Sequence, residues 1–191
     1  SRSYFYPSVG LTAVINDLIP LPEAITHLKL RASYAEVGND ASAYNLFRSA
    51  SVSLGTIGLS TTLPNENLKP ERTRSIELGF DLRMFRDRGR LSATWYQTNT
   101  YDQLFATPVP VTSGVSSVYQ NGADVQNRGL ELTLGMVVID KRDFSWDIML
   151  NWSKNTSKIL EIAEGFNVLS FGTDFIREYK LVVGEAFGDV Y

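Results

Sequence analysis

Leu130-Glu131-Leu132-Thr133-Leu134-Gly135-Met136-Val137-Val138 alternates along its length. Leu130, Leu132, Leu134, Met136 and Val138 share one side, and Glu131, Thr133, Gly135 and Val137 share the other. A period of two marks an extended strand with one apolar face. The same period recurs in Ile76–Met84, where Ile76, Leu78, Phe80, Leu82 and Met84 oppose Glu77, Gly79, Asp81 and Arg83. In Trp146–Ser153 it sets Trp146, Ile148, Leu150 and Trp152 against Asp147, Met149, Asn151 and Ser153. In Leu28–Glu36 it sets Leu28, Leu30, Ala32 and Tyr34 against Lys29, Arg31, Ser33 and Ala35. Weaker patterns predict two more strands, Tyr4–Ile15 and Arg90–Tyr101. Pro7 interrupts the first, because proline cannot donate to a ladder.

The connections outward from these strands alternate in length. Arg86-Asp87-Arg88-Gly89 and Asp140-Lys141-Arg142-Asp143 read as tight turns. Gly38–Thr73, Asp102–Gln126 and Lys154–Tyr179 are long and rich in Asn, Ser, Thr, Gly and Pro, so they read as loops. Asn16–Thr26, with Pro20 and Pro22, is of middle length, with a short helical turn expected at Leu21–Ile25. Short turns at one end and long loops at the other are the pattern of an antiparallel transmembrane β-barrel. No apolar run approaches the roughly 20 residues of a membrane helix, whereas a spanning strand needs only about 9–11. About six spanning strands are predicted, or about seven if Tyr179–Val183 contributes, and closed bacterial barrels begin at about eight. An open sheet edge would leave amides unsatisfied in lipid, so the reading requires flanks that complete a larger barrel. Ser1–Tyr6 already reads as strand and Gly184–Tyr191 has no terminating feature, so continuation is expected at both ends.

Composition narrows the function classes. The 191 residues carry a net charge of -3, which gives no electrostatic reason to expect nucleic acid as a partner. Absence of cysteine excludes disulfides and thiolate metal sites. His27 is the single histidine, too few for a zinc site or a His-based triad. With no phosphate loop or nucleophile elbow, neither a cofactor nor an enzymatic activity is expected.

Five stretches, in order along the chain, resemble the SusC/RagA family of TonB-linked outer-membrane proteins of Bacteroidota. They are Tyr6–Leu11; Leu28–Tyr34 followed by Val37-Gly38-Asn39; Leu68–Gly79 with its Lys69-Pro70-Glu71; Thr98–Phe105 with Thr100, Asp102, Leu104 and Phe105; and Ser113-Gly114, Asn121-Gly122 and Val125–Glu131. The resemblance implies that residues 1–191 are part of a barrel of about 22 strands, with the plug domain and barrel closure lying elsewhere. It implies an energy-coupled importer of large nutrients, glycan or peptide. Implied partners are outer-membrane lipid, a SusD-like surface lipoprotein acting as a lid, and TonB, reached through an N-terminal region outside this segment. The rival reading is a soluble or surface-attached all-β carbohydrate-binding module, which requires a core of its own.

Individual residues read accordingly. Glu77, Asp81, Glu131 and Asp147 resemble a catalytic carboxylate set only in type; alternation with apolar residues places them in a wet lumen. Lys29, Arg31 and Arg83 can pair with them across strands. Trp95, Trp146 and Trp152 read as lipid contacts or interfacial girdle. Gly38-Asn39-Asp40 and Gly172-Thr173-Asp174 read as turns rather than calcium loops. Pro70 holds Lys69 extended as a strand restarts, while Asn121-Gly122 and Asn127-Arg128-Gly129 supply residues that tolerate positive φ as the loop re-enters the sheet. Tyr44, Phe47 and Tyr119, in long loops, are the candidate contacts for cargo or lid. The parity assignment predicts that Leu132→Arg destabilises the whole transporter by about 2–4 kcal/mol if near the bilayer midplane, and Thr133→Arg by less. Denaturant unfolding in bilayers measures both; equal losses contradict the two-faced strand.

Overall fold

The fold is that of a computed structural model, which describes residues 4–162, 167–173 and 178–186. In chain order the strands are β1 (Ser8–Val14), β2 (Ile25–Asn39), β3 (Ala50–Ser53), β4 (Thr56–Leu59), β5 (Thr62–Leu63), β6 (Glu71–Met84), β7 (Gly89–Pro108), β8 (Ser117–Lys141), β9 (Phe144–Ile162), β10 (Val168–Thr173) and β11 (Glu178–Val182). One sheet runs β1-β2-β6-β7-β8, and β8 also pairs with β9 and, at its start, with β5. The β5 pairing is parallel, Thr62 to Ser117 and Leu63 to Val118. By Cα proximity the chain divides into two units. The first comprises Ser1–Glu36, Arg74–Thr98 and Asn127–Thr156; the second comprises Val37–Thr73, Asn99–Gln126 and Ser157–Tyr191.

The all-β antiparallel expectation holds, and six long strands stand where alternation placed them. Their ends differ. β1 starts at Ser8 because Pro7 has no amide to donate, although its carbonyl still accepts from the Glu36 N–H at 2.9 Å. β7, β8 and β9 run for 20, 25 and 19 residues, so much of Asp102–Gln126 and Lys154–Tyr179 is strand rather than loop. Gly38–Thr73 contains the β3–β4 hairpin, closed by Leu54 and Gly55 at φ 50° and 78°. Residues 163–166 and 174–177, Asp174 among them, lie outside the described residues. The expected seventh spanning strand forms instead a two-stranded ribbon, β10–β11. The tight turn falls on Phe85, Arg86 and Asp87, all at positive φ, and Gly89 already belongs to β7. The turn of helix after β1 is 3-10 and lies at Ile15–Asp17, not at Leu21–Ile25. Asn16 fixes it there: its Nδ2 donates to the Thr26 carbonyl at 3.2 Å, and its Oδ1 accepts from the Leu28 N–H at 2.7 Å. Pro20 and Pro22 remove the donors that a helix further on would need.

In the first unit the two faces of the sheet differ in solvent preference. Register pairs Leu11 with Ala32 and Val9 with Tyr34 on the apolar face, and Thr12 with Arg31 and Gly10 with Ser33 on the polar one. Apolar-face side chains lie open: Leu11 is 72% exposed, Leu134 45% and Leu150 60%. Ala93 is the only buried apolar residue of this unit among the described residues. The second unit has a small core of Ile159, Ile162 and Leu181, against which Phe105 packs.

Gly129 sits within β8 and is absent from the positive-φ residues, as are Asn121 and Gly122, so backbone freedom does not explain them. Space explains Gly129. A Cβ there would stand 2.6 Å from both Cζ and Oη of Tyr96 and 2.7 Å from the Lys154 carbonyl oxygen. Tyr96 thus covers a bare stretch of β8, a known way of stabilising glycine in sheets. Gly10 has no atom within 4 Å of such a Cβ. In the full-length protein, Gly129→Ala is expected to cost about 1–3 kcal/mol by overpacking, and Gly10→Ala less than about 0.5 kcal/mol. Urea unfolding in bilayers distinguishes them; equal effects contradict the packing assignment.

Candidate functional site

Within the first unit the polar face carries a ladder of short side-chain contacts. Arg31 crosses from β2 to β6 and β7. Its Nε lies 3.2 Å from Asp81 Oδ2, and its guanidinium also donates to Thr94 Oγ1 at 3.1 Å. Ser92 donates to Asp81 Oδ1 at 2.8 Å. Gly79 leaves the guanidinium its path, since a Cβ there would approach it to 2.9 Å. Ser75 and Thr98 share a hydrogen bond of 3.1 Å, Thr133 donates to Asn151 at 2.9 Å, and Tyr96 donates to Asn155 at 3.3 Å. The Arg31–Asp81 pair bears out cross-strand pairing for those two residues. Both are about a third or more exposed, so the pair registers strands more than it stabilises them. Asp81 is thereby engaged as an acceptor from Arg31 and Ser92. Among the described residues no group of three or more His, Cys, Asp or Glu side chains could hold a metal ion.

The second unit brings several of the family-like motifs together. Asp102 lies within β7 at φ 55°, a conformation costing an ordinary side chain about 1–3 kcal/mol. Its neighbours hold it there. Asn121 Nδ2 donates to the carbonyls of Asp102 at 2.7 Å and Lys69 at 2.8 Å, while Asn121 Oδ1 accepts from the Lys69 N–H at 2.8 Å. The Asn121 amide therefore pairs with Lys69 much as another strand would. Glu71 accepts from the Leu104 N–H at 2.6 Å through one oxygen and from Asn39 Nδ2 at 3.0 Å through the other. Arg72 lies 3.6 Å from the Asp102 carboxylate, and the Asp102 N–H donates to Asp124 Oδ1 at 3.2 Å. The node anchors the return of the 38–73 segment into the sheet. Its members stood in the sequence as separate motifs, Gly38-Asn39, Lys69-Pro70-Glu71, Asp102 to Leu104 and Asn121-Gly122; nothing in their spacing announced that they meet.

The candidate contact residues are not gathered into one site. Phe47 follows the helical turn Ala43–Leu46 and is 64% exposed. Tyr119 belongs to β8 rather than to a loop, and its carbonyl accepts from Asn65 Nδ2 at 3.2 Å. The side chain of Tyr44 lies outside the described residues. No hydrogen bond, ion pair or ring contact among the described side chains joins Phe47 to Tyr119.

In the first unit, an exposed apolar face, a polar face laced across strands, and Ala93 as the one buried apolar residue among the described residues are the features of a barrel wall. The comparisons agree. The family described as TonB dependent receptor-like, beta-barrel, matches residues 1–184, and the chain belongs to that family. TonB-dependent receptor P3 of Formosa agariphila is 31% identical over 98% of this chain and 20% of its own length. TonB-dependent receptor SusC of Bacteroides thetaiotaomicron is 28% identical over 84% of this chain and 17% of its own. A structure of the RagAB peptide transporter superposes with a TM-score of 0.82 at 26% identity, over 96% of this chain and 21% of the matched one. The chain therefore spans about a fifth of the length of these relatives. Its family is one of receptors and transporters, not of enzymes.

The node generates a direct expectation. Glu71→Ala removes the acceptor of the half-buried Leu104 amide, a loss of about 1–3 kcal/mol. Hydrogen exchange on the full-length receptor should show the Leu104 amide opening faster while amides of the β6–β7 turn stay unchanged. An unaltered Leu104 rate contradicts the role given to Glu71.

Proposed function

We propose that this chain forms part of the wall and surface hairpins of an outer-membrane importer, energised through TonB, that takes up a large nutrient of the peptide or glycan class. The single observation that carries the reading is the exposed apolar face of the first unit, continuous over β1, β2, β6, β7, β8 and β9, joined to membership of the receptor family. Water would penalise that face; acyl chains would not. The peptide alternative is favoured by the likeness to RagAB, a peptide transporter. The plug, barrel closure and TonB contact belong, in this reading, to the remaining length of the protein. A SusD-like surface lipoprotein is the proposed lid, and Tyr44, Phe47 and Tyr119 are the proposed contacts to cargo or lid.

Topology follows from connectivity. Phe85–Arg88 and Arg142-Asp143 close hairpins at one end of the strands, and the β7–β8 connection around Val111–Ser113 closes at the other. The short turns then face the periplasm and the β7–β8 tip faces outward. In full-length protein on intact cells, a cysteine at Thr112 should react with a membrane-impermeant maleimide and one at Asp143 should not. The reverse pattern inverts the topology, and reaction at both sites supports a surface-displayed module instead. Shortening the β7–β8 tip should lower nutrient uptake more than barrel abundance.

A further inference from the structure

The apolar face of the first unit ends in cations. On β9 the outward series Trp146, Ile148, Leu150, Trp152 is followed at the next outward position by Lys154. On β8 the series Val138, Met136, Leu134, Leu132, Leu130 is followed by Arg128. Hydrogen bonding fixes these orientations. Tyr96 lies over Gly129 and donates to Asn155, so Gly129 and Asn155 share the polar face, and Arg128 and Lys154, each one residue away, point to the apolar side. The same Gly129 stands against the Lys154 carbonyl, so the two cations lie on neighbouring strands within a residue or two in register. Both are exposed.

Arg74, on the same side of β6, has a carboxylate partner, Glu36 at 3.2 Å, to which Tyr34 also donates at 3.3 Å. Arg128 and Lys154 have no carboxylate within 4.0 Å among the described residues. Two like charges this near one another repel, and an anion shared between them relieves the repulsion. Their height identifies that anion's source. Lys154 stands ten residues beyond Phe144, the first residue of β9. At about 3.3 Å per residue and a tilt of about 40°, that is a rise of about 25 Å, the height of the apolar band of a membrane barrel. A cation there meets the headgroup layer on the far side from the tight turns, just above the interfacial Trp152.

We propose that Arg128 and Lys154 form an anchoring site for phosphate groups of outer-leaflet glycolipid, charge-assisted from the rim of the lipid-facing wall. The site rests on the barrel reading above. Arg128 supplies a planar fork for phosphate oxygens and Lys154 a point charge. The chemistry is that of a phosphate monoester; continuity with the apolar band assigns it to a lipid rather than to a free anion.

The test uses the full-length transporter in phosphatidylcholine vesicles with and without a minor fraction of diphosphorylated lipid A. Lipid A retention is read by native mass spectrometry and thermal stability by melting. Wild type should retain lipid A and melt higher in its presence. The Arg128→Glu/Lys154→Glu variant should retain roughly tenfold less, as expected for losing a charge-assisted contact, and lose the rise in melting. Lys154→Arg should preserve both. In phosphatidylcholine alone, variant and wild type should show the same melting and the same heat-modifiable migration. Equal lipid A retention by variant and wild type overturns the site, as does full reproduction of the stabilisation by inorganic phosphate. Absence of a heat-modifiable form for wild type in either lipid overturns the barrel reading itself.

Discussion

Backbone amides have nowhere to go inside a bilayer except to another strand. That constraint orders the rest of the structure. Once each strand must pair laterally along its length, its side chains are left to face two different solvents, and a period of two follows. Val9 with Tyr34, Leu11 with Ala32 and Thr12 with Arg31 show the division residue by residue. The stabilising burial that a soluble domain gains in its interior is assigned here to lipid on the exposed apolar face. The first unit, with Ala93 as its only buried apolar residue among the described residues, therefore has a fold that does not rest on an interior core. On the opposite face, hydrogen bonds such as Ser92 to Asp81 and Thr133 to Asn151 keep neighbouring strands in register where water competes.

The second unit solves a different problem. Within it, a node of side-chain hydrogen bonds fixes register where β7 is interrupted. Asp102, held at positive φ, interrupts β7, and the surrounding side chains replace missing ladder bonds with their own. Glu71 takes up the Leu104 amide, and Asn121 serves both Lys69 and Asp102. Hydrogen bonds from Asn121 to the Asp102 carbonyl and from the Asp102 N–H to Asp124 offset the local strain. The node returns a 38–73 segment carrying its own β3–β4 hairpin to a fixed point on the sheet.

The division between legible and illegible follows the same boundary. Where one face meets lipid, the sequence must alternate, so the cores of β2, β6, β8 and β9 could be read from Leu, Ile, Met and Trp spacing alone. Where the strict alternation lapses, Asp102 to Thr107 and Ser117 to Gln126 read as loop although they are strand. Tyr119 therefore reads as a loop residue although it belongs to β8. Gly129 was assigned a backbone role because glycine after Asn-Arg suggests a turn; its actual reason, the Tyr96 ring, lies on another strand and leaves no local trace. The ion pair of Arg31 with Asp81 was readable in kind from face and sign. Candidate contacts with cargo were the least legible, since ligand choice depends on how several surface hairpins meet, which no periodicity encodes.

The central claim is that one face of this sheet lies in acyl chains and the other does not. Spin labels placed singly at each position from Leu130 to Val138, in full-length protein in bilayers, test it most directly through collision with oxygen and with a water-soluble nickel chelate. The account predicts a period of two, with labels at Leu130, Leu132, Leu134, Met136 and Val138 favouring oxygen and those between favouring nickel. Uniform accessibility to nickel along the strand would contradict it.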